Sequence, residues 1–158
     1  MEIIEYCSKY DDNIKDLLYE LQEYVASIDR EKYNIVTEAC REENFKATME
    51  ELDKNNGKLF LASVDSEIVG FICGIILEAE DSCDFKAPKG GRVTELIVTK
   101  NCRAKGIGQA LLDKMIEYFK SMGGKRVVIE IFEYNDIAKN FYYKNKYFNR
   151  VVEVMKKI

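Results

Sequence analysis

The chain has 158 residues, 47% of them hydrophobic and 33% charged, with a net charge of -4 and a pI near 5.1. That is enough apolar material for one core, and a single domain over residues 1–158 is expected. A net-acidic chain is not a general nucleic-acid binder, and the absence of histidine excludes Ser-His-Asp and Cys-His nucleophile systems and the usual zinc sites.

In chain order, EIIEY at 2–6 reads as a short strand. Residues 11–29 read as a helix, because Ile14, Leu17, Leu18, Leu21 and Val25 fall on one face. Residues 30–40 have no regular pattern, and 43–55 read as a second helix stopped by Asn55, Asn56 and Gly57. KLFLASV at 58–64, the turn DSE and IVGFICGIIL at 68–77 form a predicted hairpin with a buried second arm. An acidic loop follows at 78–91, then a strand at 92–99. The amphipathic helix at 107–122 carries Leu111, Leu112, Met115, Ile116 and Phe119 as its apolar stripe, with Gly123 and Gly124 as its stop. A strand at 125–132, a short helix at 135–145 and a last strand at 147–157 complete the reading.

The order β-α-α-β-β-β-α-β-α-β contains one parallel βαβ unit, around 92–132. The expectation is an α/β fold with a mixed, mostly antiparallel sheet of six to seven strands, flanked by about four helices. The N-terminus lacks a basic region followed by an apolar run, and the longest apolar run, 68–77, is too short for a membrane helix. A cytoplasmic protein with no membrane association is expected. The five cysteines are scattered and form no CxxC pair, so they read as reduced thiols.

The segment RAKGIG, 103–108, places two basic residues and two glycines at a strand-to-helix junction. The first N–H groups of a helix have no intrahelical acceptor, and the helix dipole is positive there. Glycines let a ligand approach the backbone, so the combination forms a phosphate cradle, with Arg103 and Lys105 adding charge at its rim. It is not a Walker loop, because Gln109 and Ala110 stand where Lys and Ser or Thr are needed. Nor is it a dinucleotide fingerprint, because Leu111 stands in place of the third glycine. The competing reading is a tight turn with no ligand.

These residues resemble the GNAT superfamily of N-acetyltransferases, whose loop reads Arg/Gln-x-x-Gly-x-Gly/Ala. Arg103, Gly106 and Gly108 match it, and Asn135, Ala138, Phe141 and Tyr142 match the family's N-x-x-A-x-x-F-Y pattern. One position departs: Lys146 stands where most members have glycine before an aromatic, here Tyr147.

The resemblance implies the fold described above and acetyl-CoA as cosubstrate, with no metal. Backbone amides of Ala104, Lys105, Gly106, Ile107, Gly108 and Gln109 would hold the diphosphate. The pantetheine arm would run along Leu96, Ile97 and Val98, where two strands splay, and Asn135 would contact it. Tyr142 takes the family's general-acid position, with Tyr143 as its neighbouring rival. Glu95 is the candidate base, acting through water, with Glu130 and a water chain alone as alternatives. Asn135 also reads as the cap of the following helix. Cys102, with no histidine to activate it, is a poor nucleophile.

The implied acceptor is a primary amine of a small molecule or protein. The carboxylates of the loop (Glu78, Glu80, Asp81, Asp84) and of the helical region (Glu38, Glu42, Glu43) suit a cationic one. Homodimers are frequent among proteins of this kind. Two other readings stay open: a CoA-binding regulatory module that transfers nothing, and an interaction domain with a purely structural glycine loop.

Overall fold

The computed structural model describes residues 1–158. Its elements are β1 (Glu2–Glu5), α1 (Asp11–Ile28), α2 (Cys40–Lys54), β2 (Lys58–Val64), β3 (Glu67–Leu77), β4 (Glu80–Asp81), β5 (Lys86–Ala87), β6 (Gly90–Val98), α3 (Ile107–Ser121), β7 (Val127–Ile129) and α4 (Asp136–Lys144). Five strands form one sheet in the order β1-β2-β3-β6-β7, and β4 and β5 form a separate small hairpin. All pairings are antiparallel except β6 with β7. That pair is parallel because α3 carries the chain back across the sheet. The mixed α/β architecture with one parallel unit is the expected one.

Side-chain alternation divides the core into two layers. On one face Phe60, Ile72 and Val93 pack against Leu111, Leu112, Met115 and Phe119 of α3. On the other, Leu59, Leu61, Phe71 and Ile97 pack against Ile14, Leu17 and Leu18 of α1 and Leu52 of α2. The centre of β3 is apolar throughout because it is covered on both sides. No helix is long and apolar enough to cross a membrane.

One irregularity governs the site. Between β3 and β6 the register slips: Gly74 faces Val93, but Cys73 faces Glu95. Thr94 is the extra residue of a β-bulge, and a bulge reverses the alternation beyond it. Val93 therefore belongs to the α3 face, while Ile97 belongs to the α1/α2 face, four residues along. Without the bulge, Glu95 would share the face of Val93.

The structure corrects four expectations. The helix expected from 43 begins at Cys40, and the acidic loop at 78–91 contains the β4–β5 hairpin. The strand expected at 125–132 is paired only over Val127–Ile129. The strand expected at 147–157 does not form. Its apolar residues stand in solvent, Phe148 82% and Val154 87% exposed. A strand needs a neighbour for its backbone groups, and this segment has none in the chain.

The turn before that segment does form. Lys146 adopts φ 64°, its N–H donates to Tyr143 O at 2.9 Å, and Tyr147 N–H donates to Tyr142 O at 3.1 Å. This is a Schellman close to α4, which normally takes glycine at the left-handed position. Lysine therefore holds the turn against its own preference, at about 1 kcal/mol. Lys146→Gly is expected to raise unfolding stability by about that amount, measured as a higher denaturant midpoint at constant slope.

Candidate active site

After β6 the chain makes a short 3₁₀ turn at Lys100–Cys102, then enters α3 through Ala104 at φ 60° and Gly106 at φ 81°. Gly106 is the N-cap, and no side chain caps this terminus. The first bond of the helix is Ala110 N–H to Gly106 O at 3.0 Å. The amides of Ile107, Gly108 and Gln109 thus precede any helical acceptor. The left-handed φ explains Gly106 by itself. It does not explain Gly108, where an added Cβ would find its nearest neighbours, Phe141 and Val98, at an ordinary 3.8 Å. The fold leaves room for a side chain there, so a purely structural turn accounts for one glycine of the two.

Arg103 does not project over this terminus. Its Nε donates to Val98 O at 2.8 Å, its Nη2 lies 3.8 Å from Glu20, and its guanidinium sits 5.6 Å from the Tyr24 ring centroid. It ties the loop to the end of β6 and to α1. Lys105 is exposed at the rim.

Beside the loop, β6 has a free edge. β7 pairs only with Gly91–Val93. Leu96, Ile97 and Val98 keep Ile72, Phe71 and Gly70 of β3 as partners on one side and have no strand on the other. Further along the chain, α4 packs Phe141 and Tyr142 against the core formed by α3. Asn135 caps that helix: its Oδ1 accepts from Ala138 N–H at 3.0 Å. The same oxygen accepts the Tyr24 hydroxyl at 3.3 Å, which leaves the side-chain amide nitrogen for another partner.

Tyr142, on α4, is 4% exposed. Its ring meets Phe141 and Tyr147 edge-on, at centroid distances of 5.0 and 5.3 Å. Burial pushes its phenol well above the ordinary value, with Tyr147 adding to the shift. The group is therefore protonated at any working pH. Tyr143 points outward and donates to Asn149 at 3.0 Å.

Glu95 lies on the α1/α2 side of the sheet. The Thr94 hydroxyl donates to its Oε2, and the Cys73 thiol faces it from β3. Burial raises its carboxyl above the usual range, and the charge of Glu51 adds to this; the Thr94 and Cys73 hydrogen bonds oppose it. Glu95 is thus half-buried, not a solvated surface glutamate. Glu130 has a side chain 87% exposed, with Arg92 4.0 Å away, so it is a solvated group. Cys102 is half-buried and packs against the α3 core.

Glu95 opens onto a cleft of about 350 Å³. Leu18, Leu21, Gln22 and Val25 of α1 line it, with Asn44, Ala47, Thr48 and Glu51 of α2 and Asn34 and Ile35 of the intervening loop. That loop is held by Asp29, a buried carboxylate that accepts the amides of Glu31, Tyr33 and Asn34 at 3.0, 2.8 and 2.7 Å. Backbone N–H donation from Asn34 and its neighbours outweighs burial and lowers its pKa to about 2. Four of the seven carboxylates expected at an acidic mouth are engaged with cations: Glu78 with Lys89, Glu80 with Arg126, Asp81 with Lys86 and Glu42 with Lys15. None of them lines this cleft. Gln22 and Glu51 were absent from the sequence reading. The usable signal for Gln22 was a polar residue inside the apolar stripe of α1, between Leu18 and Val25.

A sequence model of the acetyltransferase (GNAT) family matches residues 19–147. An uncharacterized N-acetyltransferase of Methanocaldococcus jannaschii is 33% identical over 92 residues, which are 58% of this chain and 53% of that protein. One of Archaeoglobus fulgidus is 29% identical over 97 residues, 58% of this chain and 60% of that protein. The chain thus spans about half the length of the curated relatives it matches. A mutant protein of Bacillus halodurans superposes with a TM-score of 0.90 at 16% identity, covering 100% of this chain and 99% of that one. An aminoglycoside N-acetyltransferase solved in complex with CoA superposes at 0.69 with 13% identity, covering 99% and 100%. At such identities these two likenesses establish the fold.

The partial burial of Glu95 has a consequence for stability. A carboxyl raised in the folded state loses stability as pH climbs from its unfolded value through its folded one. Glu95→Gln removes that loss. Its melting temperature is expected to match the parent near pH 4 and to exceed it at pH 8; an offset independent of pH would contradict the assignment.

Proposed function

Because the chain belongs to the acetyltransferase (GNAT) family, we propose that it transfers the acetyl group of acetyl-CoA directly to a primary amine. The observation that carries this is Gly108: a glycine the fold does not need, in an uncapped first turn, beside the free edge of β6.

Each residue has a separate task in this reading. The amides of Ile107, Gly108 and Gln109, with the preceding loop from Ala104, hold the diphosphate of acetyl-CoA. Gly108 lets it reach the backbone, and Lys105 adds charge at the rim. The open edge along Leu96, Ile97 and Val98, where the Val98 carbonyl already accepts from Arg103, receives the pantetheine arm in the manner of an added strand, and the Asn135 amide nitrogen donates to it. Arg103 acts from behind by fixing the loop on Val98 and α1.

Acetyl-CoA supplies an activated thioester. The residues supply proton control. A primary amine is charged at neutral pH, with a pKa near about 10, and attacks only when neutral. Glu95, its carboxyl raised toward neutrality by burial, takes the amine proton through water. As the nitrogen bonds to the carbonyl carbon, the carbon–sulfur bond breaks, and Tyr142 donates a proton to the departing thiolate. Thiols of this kind have a pKa near about 8.5. Tyr142 is the weaker acid of the two, so its donation needs the thiolate held against its hydroxyl as charge develops. The cleft between α1, α2 and Glu95 receives the amine.

Two measurements test the reading. In a thiol-release assay with a panel of amines, CoA is expected only when an acceptor is present. Tyr142→Phe should lower kcat by about 100-fold while leaving the acetyl-CoA Kd unchanged. Acetyl-CoA binding with no acceptor-dependent release would instead indicate a CoA-binding regulatory module.

Gly108→Ala separates fold from cofactor. Alanine in a helix is favoured over glycine by about 1 kcal/mol, and there is room for its methyl group. The variant is expected to melt higher than the parent and to lose at least tenfold in CoA affinity by calorimetry. Unchanged affinity would remove Gly108 from the cofactor site.

A further inference from the structure

We propose that the acceptor carries a single ammonium on an apolar body, and that Glu51 is the specificity residue that guides this ammonium into the cleft toward Glu95. The inference rests on the acetyl-transfer reading and goes beyond it in naming which amines are taken.

The cleft has a polar floor, a polar rim and a mainly apolar wall on the α1 side, while Asn34, Asn44 and Thr48 add polar groups from the loop and α2. Glu95 forms the floor, half-buried on β6. Glu51 of α2 forms the rim and is exposed. Between them Leu18, Leu21 and Val25 of α1 present hydrocarbon. Gln22 interrupts that wall, and its carboxamide oxygen is enclosed without a hydrogen-bond donor. An enclosed acceptor left unpaired is unfavourable. An ammonium has three donors, and the cleft lining holds two carboxylates that can receive it, Glu95 and Glu51.

The same lining disfavours a polycation. With Glu95 and Glu51 both engaged by the first ammonium, a second one would meet no further carboxylate among the lining residues, and its desolvation would be uncompensated. Glu78, Glu80 and Asp81 do not line the cleft and are paired with Lys89, Arg126 and Lys86. Glu51, by contrast, has no cationic partner within the chain. Its charge also acts on Glu95. The other groups facing Glu95 are the Thr94 hydroxyl on its own strand and the Cys73 thiol from β3, while α1 offers nothing titratable to the cleft.

The test is titration calorimetry on the full chain without acetyl-CoA, using phenethylamine, spermidine and kanamycin as probes, on the parent and on Glu51→Gln. Glu51 is exposed, so the variant is expected to melt with the parent. Phenethylamine should bind the parent, at least fivefold more weakly in Glu51→Gln, with spermidine and kanamycin binding the parent no more tightly than phenethylamine. In turnover, the same variant should raise the amine KM and leave the acetyl-CoA KM alone. It should also move the acidic limb of kcat/KM to lower pH, because Glu95 loses a neighbouring negative charge. Tighter binding of either polycation, unchanged phenethylamine affinity in the variant, or no amine binding at all would overturn the proposal. Amine binding that follows these expectations with no CoA release under any condition would leave the cleft assignment standing and defeat the transfer reading instead.

Discussion

β6 loses its outer partner after Val93, and the architecture of the site depends on that loss. β7 stays with it for three residues and then departs toward α4. The remaining half of β6 is a strand with one satisfied edge and one open edge, a state normally avoided in folded proteins because it invites another backbone. The bulge at Thr94 sits where the divergence starts and turns Glu95 out of the α3 core into the α1/α2 cleft. One stretch of chain, Val93 to Gln109, thereby faces three ways: toward the α1/α2 cleft, along the open edge, and at the uncapped helix terminus.

Burial acts on the two candidate proton-transfer groups in the same direction, with opposite chemical results. Both lose stability in their charged forms. For Glu95 this moves a carboxyl toward the pH at which a base is useful. For Tyr142 it keeps the phenol protonated and ready to donate. The two sit in different surroundings: Glu95 between α1 and α2, Tyr142 among the rings of Phe141 and Tyr147.

Features set by local periodicity were readable in advance. The stripe Leu111, Leu112, Met115 and Phe119 is buried on α3 as its spacing required, and the 58–77 hairpin pairs as its pattern required. The loop at 103–108 was legible because glycine and charge at a strand-to-helix junction have few other uses. Three features were not legible, each for a physical reason. The Thr94 bulge is a matter of register with β3, and nothing in TEL marks the extra residue. The last strand has the alternation of a strand, but the neighbour that would complete it is missing, and alternation carries no information about partners. The cleft is assembled from Gln22, Glu51 and Glu95 on three separate elements, so its polarity emerges only when α1 and α2 are laid on the sheet. Arg103 is a fourth case: its motif position was plain, but its rotamer, turned back onto Val98 and Glu20, is decided by tertiary contacts.

The central claim is that main-chain amides at the start of α3, together with the open edge of β6, hold the diphosphate and arm of CoA. Nuclear magnetic resonance of the ¹⁵N-labelled protein titrated with CoA tests it most directly. The account predicts that the amide resonances of Ile107, Gly108 and Gln109 move most, with those of Leu96 to Val98 moving in step at the same midpoint. Saturable binding that leaves these six amides in place while others shift would contradict it.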